Sequence, residues 1–252
     1  MPAKDQPVII VIPCYNEQQR LPVESLLAFL EAGPPEVGFL LVDDGSQDGT
    51  LALLEGLARQ RPQRLRVLAL GRNQGKGEAV RRGVLAALEA APAAVGFWDA
   101  DLAAPLEEIP ALLAVLRQRP RVAMVMGARV QLLGRRIHRR PWRHYLGRVG
   151  ASLISLLLRL PVYDSQCGAK VFRADQRLSQ VFARPFLARW LFDVEIILRY
   201  SRLFQAQSPP VSPLEAIYEQ PLSSWCEIGG SKVRPGDYLR ALGECYRLWK
   251  SY

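Results

Sequence analysis

The sequence predicts an α/β fold built on a parallel sheet with helices on both faces. Two observations carry the prediction. Short, uniformly apolar runs alternate with helical patterns through the first half of the chain, and each run is followed at once by a polar cluster. The first run, residues 8–12, ends at Pro13, and Leu26, Leu27 and Leu30 follow at helical spacing until Gly33-Pro34-Pro35 breaks the chain. The second run covers 39–42, after which Ser46 or Asp48 can cap a helix through Leu51, Leu54, Leu57 and Ala58. A third run, 67–70, precedes a predicted helix over 78–91, and a fourth, 95–98, precedes one over 106–117. Strands that are apolar throughout, rather than alternating, belong to a parallel sheet buried on both sides.

The 252 residues, 49% apolar and 23% charged, are enough for one substantial core with an appended C-terminal lobe. Four scattered cysteines, Cys14, Cys167, Cys226 and Cys245, show neither metal-ligand spacing nor the density of a disulfide scaffold, and are expected as reduced thiols. No stretch reaches the roughly 20 uncharged apolar residues that span a bilayer, and the N-terminus lacks a signal pattern, so a cytosolic or membrane-surface location is expected. The net charge of +9 is localised. Between Glu108 and Asp164 lie eleven arginines and no acidic residue, while the remainder is nearly neutral, with 22 basic against 24 acidic residues. Such a segment suits a phosphate-bearing partner or an anionic membrane, and on charge alone nucleic acid also fits.

In parallel sheets ligands bind beyond the carboxyl ends of the strands. The polar clusters fall there: Pro13-Cys14-Tyr15-Asn16-Glu17, Asp43-Asp44-Gly45-Ser46, Gly71-Arg72-Asn73-Gln74-Gly75-Lys76-Gly77 and Asp99-Ala100-Asp101. An isolated Asp-x-Asp is commonly just a polar loop, and Asp43-Asp44-Gly45-Ser46 alone would serve as a turn and helix cap. Four such segments converging on one sheet edge describe a site. Asp99 and Asp101 can bracket a hard cation, Mg²⁺ or Mn²⁺, which joins carboxylates to substrate phosphates. The adjacent carboxylates of Asp43 and Asp44 need compensation from nucleobase N–H groups, ribose hydroxyls or a metal. Tyr15 offers a ring for a base, and Lys76 or Arg72 can meet a diphosphate. Neither a P-loop nor a Gly-x-Gly-x-x-Gly is present, which argues against a dinucleotide oxidoreductase.

Val-Ile-Pro-Cys-Tyr-Asn-Glu, Val-Asp-Asp-Gly-Ser-Gln-Asp-Gly-Thr, Asn-Gln-Gly-Lys-Gly-Glu-Ala-Val and Asp-Ala-Asp-Leu resemble, in order and spacing over residues 8–130, the signatures of family 2 glycosyltransferases with the GT-A fold. Asp164-Ser165-Gln166-Cys167-Gly168-Ala169-Lys170-Val171-Phe172, Arg189-Trp190-Leu191-Phe192-Asp193-Val194-Glu195 and Glu227-Ile228-Gly229-Gly230-Ser231-Lys232 resemble the polyprenyl-phosphate hexosyltransferases, most closely the dolichyl-phosphate β-glucosyltransferase branch. The resemblance implies a mixed, mainly parallel sheet, with residues 1–130 as the nucleotide-sugar half and 131–252 as the acceptor half of one domain. It implies an inverting, metal-dependent hexosyltransferase that uses UDP-glucose and a polyprenyl phosphate acceptor. Pro13, Tyr15, Glu17, Asp43 and Asp44 would hold the nucleoside, Asp99 the ribose or metal, and Asp101 the metal and diphosphate. Arg129, Arg143, Ser231 and Lys232 would face the phosphates. Mannosyl-transferring relatives place a Gln two residues after the second Asp, where this chain has Ala103, so fewer protein ligands to the metal are expected.

Residues 135–160 combine arginines, Trp142 and Tyr145 with Leu146, Val149, Leu153, Leu156, Leu157 and Leu160 at helical spacing. This suits a helix at a membrane interface, and equally one packed on the protein's own core. His138 and His144 belong to its basic face. Relatives often continue into C-terminal transmembrane helices, whereas the last residues here, Trp249-Lys250-Ser251-Tyr252, carry none; a truncated chain or a peripheral enzyme on the cytoplasmic side is expected. Asp193 and Glu195 are candidate bases if the acceptor is a hydroxyl, which must lose a proton to attack. A phosphate monoester, with its second pKa near ~6, needs no base, and Asp193 then takes an orienting role. A non-catalytic nucleotide-sugar or nucleic-acid binding module is the competing class, although acidic strand ends would repel nucleic acid.

Overall fold

The structure, a computed structural model, describes residues 7–138, 150, 152, 154–156, 158–228 and 235–252. The four apolar runs become β1 (Val8–Cys14), β2 (Val37–Asp43), β3 (Leu65–Ala69) and β4 (Ala94–Trp98), all parallel in the order β3-β2-β1-β4. Between them run α1 (Val23–Ala32), α2 (Thr50–Gln60) and α3 (Lys76–Leu88), and a 3-10 turn at Leu106–Glu108 leads into α4 (Ile109–Gln118). The expected caps of α2 work differently. Gly49 occupies the cap position, Asp48 accepts the Thr50 N–H at 2.9 Å, and Ser46 is engaged with Asn16 instead.

The second half builds into the same sheet. After β5 (Met124–Ala128) comes β6 (Arg136–His138). Strand β7 (Ala169–Arg173) then inserts antiparallel between β4 and β5, and β8 (Ile217–Pro221) pairs parallel with β5 at the edge. The result is a mixed, mainly parallel seven-stranded sheet ordered β3-β2-β1-β4-β7-β5-β8. β6 and β9 (Ser224–Cys226) form a separate parallel pair. Helices α5 (Gln176–Ala183), α6 (Phe192–Gln205), α7 (Pro213–Ala216) and α8 (Pro235–Ser251) complete the chain.

Alternation along β1 divides the core. Val8, Ile10, Ile12 and Cys14 pack with Leu26, Phe29, Leu54, Leu57, Leu112 and Leu116 from α1, α2 and α4. Val11 joins the opposite layer with Val80, Val84, Leu178, Phe182, Ile197 and Tyr200 from α3, α5 and α6. Each buried Leu, Ile or Phe contributes about 2 kcal/mol, so both faces of the sheet are firmly held and the polar strand ends are positioned by a rigid platform.

The four cysteines are free thiols. Of the predicted basic helix, residues 139–149 lie outside the described part, including Arg143 and His144. Further on, Ile154 and Leu158 are buried in the second layer while Leu156 is exposed, so this end packs on the protein's own core. Among the described residues no helix is long and apolar enough to cross a membrane.

Candidate active site

The site begins where β1 and β2 end side by side, with Cys14 in register with Asp43. The loops beyond them are stitched together. The Asn16 N–H donates to Ser46 Oγ at 3.0 Å, the Gln47 N–H to Asn16 Oδ1 at 2.9 Å, and the Glu17 N–H to Thr50 Oγ1 at 2.8 Å. Pro13 and Tyr15 are half-buried on this edge and Glu17 is buried. Asp43 uses Oδ2 to accept the Gly45 and Ser46 N–H groups, while its buried Oδ1 has no hydrogen-bond partner among the described residues. A buried acceptor of this kind invites a donor N–H or O–H from a ligand.

Asp44 does something the sequence did not show. It is 1% exposed, and its two oxygens accept the backbone N–H groups of Gln74 and Gly75, both at 2.8 Å. Burial raises its pKa despite these bonds. The carboxylate therefore braces the loop that carries Lys76. Gly75 sits at φ +95°, and a side chain there would strike the Arg189 guanidinium.

At the end of β4, Asp99 and Asp101 occupy a turn. The Asp99 N–H donates to Gly168 O at 2.9 Å, the Leu102 N–H to Asp99 O at 3.0 Å, and the Ala103 N–H to Asp101 Oδ1 at 3.1 Å. Glycine is required at 168, because a Cβ there would lie 2.1 Å from the Asp99 carboxylate. Lys76 Nζ reaches to 2.6 Å of Asp99 Oδ1. Desolvation by itself lowers the Lys76 pKa, but Asp99, then Asp193, and finally Asp101 outweigh it and hold the ammonium above its usual value. Asp101 is raised by burial first and by Asp99 second. The pair thus carries negative charge that Lys76 compensates only in part, which fits a hard cation or an N–H-rich ligand. Among the described residues no group of three or more His, Cys, Asp or Glu side chains gathers as a metal-ligand set, so a cation here would take its remaining ligands from substrate oxygens and water. Ala103 is packed, its carbonyl accepting the Cys226 N–H at 3.0 Å.

Arg129, at the end of β5, forms a bidentate pair with Asp164, Nε to Oδ2 and Nη2 to Oδ1 both at 2.7 Å, and its guanidinium lies 5.3 Å from the Trp225 ring centre. Burial alone would raise the Asp164 pKa, but Arg129 beside it brings it down to about 2. Glu219 on β8 accepts the Tyr163 and Asp164 N–H groups and so fixes the loop that presents Asp164. Asp193, 4% exposed, is paired with the fully buried Lys170, Nζ to Oδ1 at 2.6 Å. Glu195 is also fully buried. It accepts from Arg199, from the Tyr252 hydroxyl and from the Ala188 N–H. Glu195 is therefore part of the framework. Ser231 and Lys232, like Arg143, lie outside the described residues.

Asp164, Glu219 and Lys170 had no assigned role in the sequence reading. Lys170 had a usable signal: a lone lysine within Ala169-Lys170-Val171-Phe172 must find a buried acid. Residues 9–176 match the family model described as "Glycosyl transferase family 2". The chain belongs to this family. A dolichyl-phosphate beta-glucosyltransferase of Drosophila melanogaster is 32% identical over 96% of this chain and 74% of its own length. The Homo sapiens protein of the same description is 31% identical, covering 90% and 69%. A polyprenol monophosphomannose synthase of Mycolicibacterium smegmatis is 30% identical over 68% of this chain and 63% of its own. Among solved structures, mannosyl-3-phosphoglycerate synthase from Rubrobacter xylanophilus aligns with a TM-score of 0.66 at 20% identity, covering 96% of this chain and 72% of that one. Glucosyl-3-phosphoglycerate synthase from Mycobacterium tuberculosis, in complex with UDP, aligns at 0.64 and 20%, covering 97% and 80%. These likenesses establish a GT-A fold.

Proposed function

We propose that the chain transfers a hexose, glucose from UDP-glucose, to a polyprenyl phosphate with inversion, working as a peripheral enzyme on the cytoplasmic face of a membrane. The observation that carries this reading is the cluster of Lys76, Asp99 and Asp101 where four strand ends meet, with the Arg129–Asp164 pair at the end of β5, across β7 from β4. The relatives named for dolichyl phosphate support the acceptor, and the fold neighbours solved with UDP and with Mn²⁺ or Mg²⁺ support the donor and the cation.

The Pro13–Glu17 and Asp43–Ser46 loops would receive the nucleoside, with Asp43 Oδ1 as an acceptor for a nucleobase or ribose donor. Mg²⁺ or Mn²⁺ held at Asp99 and Asp101 would stabilise the negative charge of the diphosphate. Lys76, already above its usual pKa, stays cationic and can turn from Asp99 to the leaving diphosphate. A phosphate oxygen of the acceptor forms the new bond to the anomeric carbon. The bond from that carbon to the diphosphate oxygen breaks, and its electron pair leaves with UDP. Arg129, together with Arg143, Ser231 and Lys232, would neutralise the acceptor phosphate. No base is required, because the acceptor monoester is already largely dianionic at neutral pH. Burial of Glu195 with both oxygens bonded speaks against the alternative of a hydroxyl acceptor with Glu195 as base, and the pairing of Asp193 with Lys170 supports an orienting role for Asp193.

The test is incubation of the purified protein with Mg²⁺ or Mn²⁺, a panel of nucleotide sugars and a short polyprenyl phosphate. A hexosyl-phospholipid is expected with UDP-glucose foremost; no glycolipid with any donor would sink the proposal.

A further inference from the structure

Helix α8 has two faces. Glu244 and Leu248 are buried, and Ala241, Cys245 and Tyr252 pack against the second core layer. The other side carries Leu242, Tyr246 and Trp249, spaced four and three apart and 55%, 62% and 66% exposed, with the last two rings 6.1 Å between centres. Arg247 and Lys250 are exposed alongside, Arg247 with its guanidinium 3.6 Å from the buried carboxylate of Glu244, the single acidic residue between 240 and 252.

The helix is not remote from the site. Glu244 accepts the N–H groups of Arg189, Trp190 and Leu191, the last residues before α6, on which Asp193 sits. Arg189 in turn donates to Asn73 Oδ1 in the loop braced by Asp44. Trp190, 37% exposed, belongs to this same junction. The exposed stripe is thus tied, through Arg189, to the loop that carries Lys76.

We propose that this face of α8 docks on an anionic lipid surface. Tyr and Trp combine an apolar ring with a polar tip, and this is the chemistry of the headgroup boundary. Arg247 and Lys250 can lay their stems along the apolar layer and place their charges among lipid phosphates, and the chain's net charge of +9 adds a general attraction. A second copy of the chain is a poorer occupant, since a two-fold interface would bring these cations against their own equivalents. The proposal gives a surface to the lipid-acceptor reading on which it rests: docking here would bring the loop that carries Lys76 toward the layer where an acceptor phosphate lies.

The experiment is co-sedimentation of the full chain with vesicles of phosphatidylcholine alone or mixed with phosphatidylglycerol, for the wild type, Tyr246→Ser/Trp249→Ser and Arg247→Gln/Lys250→Gln, the last removing both charges without setting a carboxylate against Glu244. The wild type should bind the mixed vesicles, less so as salt rises, and each double variant should lose about tenfold in binding while retaining UDP binding and its thermal midpoint. If the aromatic variant misfolds, the charge variant decides. Absence of wild-type binding, undiminished binding by the folded variants, or a solution dimer that the aromatic variant dissolves would each overturn the proposal. Glycolipid made from a short water-soluble acceptor by a protein that ignores vesicles would remove this surface and leave the enzymatic reading. Vesicle binding with no glycolipid from any acceptor would do the reverse.

Discussion

Arg129 and Asp164 face each other in a two-armed ion pair, 2.7 Å on each arm, and the same carboxylate also accepts the Arg129 backbone N–H at 3.0 Å. Arg129 keeps its charge at every pH where a protein folds, so the pH dependence of the pair lies on Asp164. Its pKa falls from 3.8 to about 2 on folding. A depressed acid stabilises the fold above its unfolded pKa and loses that contribution as pH falls through its folded one; the depression here is worth on the order of 2 kcal/mol. Asp164→Asn should therefore cost about 3 kcal/mol at neutral pH, since it leaves a buried guanidinium short of its partner. Denaturation of both proteins across a pH series should show the gap narrowing between about 4 and about 2.

Asp44 braces the Gln74–Gly75 backbone from a distance of thirty residues in sequence. Asp44→Ala leaves two N–H groups without their acceptor, for a loss of about 2 kcal/mol. Because this loop carries Lys76, the donor KM should rise about tenfold, with kcat changing less. Steady-state kinetics with varied donor read this directly, and an unchanged donor KM in a destabilised variant would confine Asp44 to the fold.

Lys170 and Asp193 are a buried pair, and removing one partner strands the other. Lys170→Met should cost about 3 to 5 kcal/mol, while Lys170→Met with Asp193→Leu should recover much of it. For catalysis, Asp193→Asn should keep partial turnover, since a phosphate nucleophile needs no base; turnover abolished in a folded Asp193→Asn protein would favour a hydroxyl acceptor.

Tyr200 stacks on Phe172 and Phe204, at 6.1 and 5.7 Å between ring centres, and its buried hydroxyl has no partner among the described residues. Burial pushes its pKa well above the usual phenol value. Tyr200→Phe keeps the rings and deletes the orphaned hydroxyl, so thermal unfolding should show a gain of about 1 kcal/mol. A loss of similar size would mean that the hydroxyl is satisfied in solution.

The first four strands were legible because each is a continuous apolar run with a helix behind it, and the polar clusters marked their carboxyl ends. Strand β8 was not, since Ile217-Tyr218-Glu219-Gln220-Pro221 has no apolar stripe and takes its place by pairing with β5 and by the bonds of Glu219 to the Tyr163 and Asp164 N–H groups. The insertion of β7 between β4 and β5 likewise depends on tertiary pairing that no local pattern encodes. Within the site, the residue types were readable and their partners were not. Adjacent carboxylates at Asp43 and Asp44 ask for compensation, and for Asp44 part of it is backbone N–H from another loop, which no local pattern marks. Arg129 was expected to face the phosphates, and the carboxylate that holds it lies 35 residues on, where no local pattern marks it. Glu195 looked like a base until its buried bonds to Arg199 and Tyr252 were seen.

The most direct measurement compares two acceptors that differ only at the nucleophile. Wild-type protein with UDP-glucose and Mn²⁺ is given a short polyprenyl phosphate or the corresponding polyprenol, and the products are read by mass spectrometry. The account predicts a hexosyl phosphate from the first and nothing from the second; transfer to the polyprenol, or to neither, would contradict it.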